Sequence, residues 1–162
     1  VTAEKRLRIY LNDHLAGSLT GYELAKRCQS SNEGTDLGDY LRSFVAQLED
    51  ERTDLKRLME SLGFPEDRFK EGMGWAAEKA GRLKLNGQIR GYSPLSRVLE
   101  LEGLVLGVTG KRGLWRSVKE YGGTDPRVGV IDIDRLEEQA QTQLEELEKH
   151  QLRAAEEAFL DD

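Results

Sequence analysis

Two histidines and a few acids whose spacing turns them inward are the residues of this chain best placed to do chemistry. Counted at about 100° per residue around a helix, Glu51 falls within the arc of Phe44, Leu48, Leu55 and Leu58. His14 falls at the centre of the arc of Leu7, Leu11, Ser18 and Ala25, and Glu102 inside that of Val98, Leu99, Val105 and Leu106. A turn centred near residue 33 would bring His14 level with Glu51. One near residue 126 would bring Glu102 level with His150 and Gln151, with Gln151 continuing the inward line of Leu144 and Leu147. Inward carboxylates and a histidine call for a shared polar layer, protonation or a bound cation, because an unpaired buried charge costs several kcal/mol. Arg52, on the flank of the same stripe, offers Glu51 a partner without any metal. A satisfied polar layer is therefore the favoured reading, and a metal site held by His14, Glu51, Glu102 and His150 the alternative. Other chemistry is excluded more simply. The single cysteine, Cys28, lies about four turns from His14, too far for proton transfer.

The elements that must position these residues are helices. The three prolines, Pro65, Pro94 and Pro126, each stand where a helical period breaks. Ser30 to Thr35 is a polar turn ending in a capping residue, and Ser93-Pro94 sets a capping hydroxyl before a proline at the first helical position. The spacing predicts helices over about 3–29, 37–62, 66–86, 94–121 and 133–160. Val128 to Ile133 is left irregular, since a lone strand has no partner. Four of these helices are about 40 Å long and can cover their apolar stripes only by lying side by side. The result is one all-α domain over residues 1–162, a four-helix bundle with a shorter helix in the long passage between its second and third long helices.

Composition narrows the partners. The chain has 162 residues and a formal charge of −6, which disfavours a phosphate backbone as ligand, so no nucleic-acid role is expected. No apolar run approaches a membrane span, and the charged start lacks a signal-peptide core, so the chain reads as cytoplasmic. Gly17 and Gly21, then Gly103, Gly107, Gly110 and Gly113, recur every three or four residues and clear a smooth strip. Close helix packing is the first explanation of that strip and a ligand groove the second. Nucleotide binding is weak, without a preceding strand or a Gly-Lys-Ser/Thr ending. Lys79, Arg82, Lys84, Arg90 and Arg97 make the crossover basic and suited to an acidic partner. Trp75 and Trp115 should be covered by the crossover or by a second subunit, which favours a homodimer.

Two antiparallel hairpins joined by a long crossover, with inward carboxylates on the second and third long helices, resemble the ferritin-like superfamily. Its di-iron members take a Glu from each of two helices and a Glu-x-x-His from each of the others. Here Glu51 to Asp54 places an aspartate where the histidine would be, and Glu148-Lys149-His150-Gln151 places a glutamine there. Glu102 matches the lone carboxylate of the third long helix. Two histidines cannot supply the usual set, so paired-iron oxidation is not carried over. The resemblance implies a metal-free, non-catalytic bundle acting through oligomer or partner contacts, with no cofactor. The alternative is a mono- or dinuclear site for iron or another divalent metal.

Overall fold

A computed structural model describes residues 1–67 and 91–160. Four long helices carry the fold: α1 Ala3–Ser31, α2 Asp36–Ser61, α3 Pro94–Gly122 and α4 Ile133–Phe159. A short 3-10 turn, Pro126–Val130, occupies part of the segment expected to be irregular. Among the described residues there is no strand, and no helix is long and apolar enough to cross a membrane. The helix expected over 66–86 falls, from residue 68 on, outside the described residues, as do Trp75, Lys79, Arg82, Lys84 and Arg90.

Each helix starts where a side chain takes over a backbone donor. Thr2, Thr35, Ser93 and Asp132 each accept a hydrogen bond from the backbone N–H three residues on. Ser93 and Ser96 cap reciprocally, with Pro94 entering the first turn. Gly34, at φ 77°, turns the chain between α1 and α2 in a conformation that favours glycine.

Contacts fix the directions. Leu24 meets Gly103 and Tyr10 donates to Ser117, so α1 and α3 run antiparallel. Arg116 to Glu137 and Lys119 to Asp134 set α3 antiparallel to α4. Arg135 to Asp54 sets α4 antiparallel to α2. Helices α2 and α3 therefore point the same way, and residues 62–93 are the passage of chain that joins them. Two buried asparagines hold the ends of that passage. Asn12 donates to the Pro65 carbonyl and accepts from the Asp67 N–H at 2.7 Å, while Asn32 donates to the Tyr92 hydroxyl at 2.8 Å.

The core stripe of α3 is Val98, Leu101, Leu104, Val108, Trp115 and Val118. It lies about one residue out of phase with the expected stripe, and Leu106 on the old line is 59% exposed. Trp115 is buried at 1% exposure and belongs to this stripe.

Candidate functional site

Glu51 is the inward carboxylate that the α2 period predicts, 3% exposed. Its partners come from the two helices facing it. The Lys111 ammonium on α3 donates to Glu51 Oε2 and to Gln143 Oε1. On α4, Gln139 Nε2 donates to Glu51 Oε1 at 2.7 Å and Gln143 Nε2 donates to the same oxygen at 2.9 Å. Gln143 Nε2 also donates to Gln47 Oε1 at 2.8 Å, which returns the network to α2. Burial pushes the Lys111 ammonium below its usual range, and the adjacent Glu51 charge opposes that. An ammonium thus stands where a bound cation would otherwise neutralise Glu51, and both carboxylate oxygens are satisfied.

The layer differs from the expected one in every member but Glu51. Glu102 is exposed, because the phase of α3 turns it outward; the buried acid there is Glu100, whose Oε1 accepts from Arg27 at 2.8 Å. His14 does not reach Glu51. It is half-buried one turn further along α1, edge-on to the Tyr10 ring at 4.6 Å between centroids. His150 stacks on Tyr40 at 5.0 Å, near the far end of the bundle, and Gln151 is half-buried beside it. Burial holds both imidazoles below their usual range. Arg52 is turned to α1, where it donates to Ser18 Oγ and to the Leu15 carbonyl. Among the described residues no group of three or more His, Cys, Asp and Glu side chains could hold a metal ion.

Helix α1 gives the polar layer no side chain. The register set by Leu24 with Gly103 and Tyr10 with Ser117 brings Ala16 and Gly17 level with Lys111, and Gly17 level with Gly110. At Gly17, Gly21, Gly107 and Gly110 an added Cβ would meet no atom of the described residues within 4 Å. Close packing, the first explanation of the glycine strip, therefore fails at these positions. It holds at Gly103, where a Cβ would stand 2.9 Å from Leu24 Cδ2. The helices touch at both ends of the strip and leave a cavity of about 850 Å³ between α1, α2 and α3. Phe44, Leu48, Leu55, Leu104 and Trp115 give it apolar walls, and Glu51 and Lys111 reach it from the polar layer. Leu106, mostly exposed, stands at its rim.

This volume lies within the range of small-molecule sites, which are mainly apolar with a few placed polar groups. Among the described residues the cavity holds no group of side chains that could bind a metal ion, and the Glu51–Lys111 pair is already closed on itself. Comparison with known proteins finds no matching family model, no matching curated protein and no matching solved structure.

Proposed function

We propose that this chain is a non-catalytic bundle of ferritin-like layout that holds a small apolar molecule between α1, α2 and α3. The observation that carries the reading is the cavity at Gly17 and Gly110, where two facing helices both lack a side chain. Glycine costs up to about 1 kcal/mol relative to alanine inside a helix, so several glycines beside empty space are a stability cost without a packing return. Room for a ligand supplies the return. The ferritin-like layout is supported by the directions of the four helices and by the length of sequence between α2 and α3. The metal-free reading is supported by Lys111, whose ammonium occupies the position beside Glu51.

The test is a fluorescence titration with the uncharged probe N-phenyl-1-naphthylamine. The wild-type protein should give a saturable rise at one probe per chain. Gly17→Leu fills the cavity from an open position and should weaken that binding about tenfold or more without changing the circular dichroism spectrum or lowering Tm. No saturable signal, or equal signals from the two proteins, would refute the reading.

A homodimer is a second reading, favoured by Leu152 and Phe159, both 64% exposed and two turns apart on one face of α4. Sedimentation should then show a dimer that Phe159→Glu converts to monomer, whereas a wild-type monomer at all concentrations would exclude it.

A further inference from the structure

Resting on that reading, we infer that the molecule held is uncharged, and that the Glu51–Lys111 pair sets this selectivity. Among the described residues, the charged groups that line the cavity are Asp13 from α1, Glu51 and Arg52 from α2, and Lys111 from α3. Among these described residues two acids balance two bases, and His14, which also lines the cavity, is held toward its neutral form by burial. The described wall thus carries no net charge to attract an ion of either sign.

The hydrogen bonding points the same way. Glu51 Oε2 takes the Lys111 ammonium, Oε1 takes amide protons from Gln139 and Gln143, and Gln143 Oε1 takes a second proton of Lys111. A carboxylate entering the cavity would lose its water and would have to compete with Glu51 for Lys111, close to a like charge. An ammonium would meet the mirror problem at Lys111. A buried ion without a partner is far more costly than a buried hydroxyl or an alkyl chain. The slot between the two helix contacts, from Gly103 to Ser117 along α3, is about 20 Å long at the helical rise. An extended alkyl chain with an uncharged polar end fits this shape and this charge balance.

Three twelve-carbon molecules that differ in the head alone test the inference: dodecan-1-ol, dodecanoate and dodecylammonium, each used at about pH 8 to displace bound N-phenyl-1-naphthylamine. The alcohol should displace it at a concentration at least about tenfold lower than either ion. In Glu51→Gln, Lys111 is left unmatched, and the preference should move toward dodecanoate by about tenfold. Lys111→Met should move it toward dodecylammonium, and E51Q/K111M, neutral again, should restore the preference for the alcohol. Equal or tighter binding of either ion by the wild-type protein overturns the inference, as does failure of the alcohol to displace the probe. Failure of the probe itself to bind refutes instead the apolar-ligand reading on which the inference rests.

Discussion

At the scale of single residues, Glu51 and Lys111 are worth more to each other than to the fold. Removing one partner leaves a buried charge behind, whereas removing both removes the desolvation cost with the attraction. Lys111→Met should therefore destabilise the protein by about 3 to 5 kcal/mol in urea unfolding. E51Q/K111M should recover most of that loss, and a double mutant as unstable as the sum of the single ones would deny the coupling. Cys28 makes a separate prediction. Burial, with the Glu100 charge nearby, pushes its thiol up to about 12, so almost no thiolate exists near neutral pH. A thiol reagent should label Cys28 only as fast as the protein unfolds, and rapid labelling of the folded protein would contradict this. The histidines give a pH dependence of known sign. His14 and His150 are both held below the ordinary imidazole value of 6.5. The folded protein thus binds fewer protons than the unfolded chain once the pH falls below 6.5. Stability should fall as the pH declines from about 6.5 toward the lower folded values and level off below them. Replacing His14 with Gln should shrink the fall, measured as Tm between about pH 7 and pH 5.

At the scale of elements, the glycines of α1 and α3 divide by what surrounds them. Alanine at Gly17 or Gly110 meets open space and gains helix propensity, so each change should raise stability by up to about 1 kcal/mol. Gly38 is the control in α2. A Cβ there would lie 2.1 Å from the Asn32 carbonyl oxygen, so Gly38→Ala should be clearly destabilising. Thermal unfolding of the three variants would show opposite shifts, and a Tm loss at Gly17 or Gly110 would mean that the space is not empty. The same elements explain how much of the site could be read from sequence. On α2 the apolar stripe is narrow and interrupted once, so Glu51 stands out as inward. On α3 apolar residues run almost all round, through Leu99, Leu101, Leu104, Val105, Leu106 and Val108. Two phases then fit, and the wrong one turns Glu102 inward and hides Lys111. The signal for Lys111 was present: it fills the gap in the alternating three- and four-residue spacing from Leu101 to Trp115 and Val118. Gln143 fills the same kind of gap on α4, between Ala140 and Leu147. A lysine or glutamine in a stripe is easily taken for a flanking residue, because a long side chain can reach solvent from such a position.

At the scale of the whole molecule, the helix order was legible because helix length, proline positions and capping residues leave few ways to pack four rods. The turn between α3 and α4 was also placed closely enough to set their register, as Arg116 with Glu137 shows. What sequence could not supply was the separation of α1 from α3 in mid-bundle. Glycine spacing is the same whether two helices close on each other or leave a slot, and the answer depends on contacts at Leu24 and Tyr10, far along the chain from their partners. The proposed binding site is this slot. Methyl-labelled protein with bound dodecan-1-ol would test it through intermolecular nuclear Overhauser effects. The account predicts contacts from the alkyl chain to the Leu48, Leu55 and Leu104 methyls, which line the cavity. Contacts confined to the exposed Leu152 and Leu160 of the α4 end would contradict it.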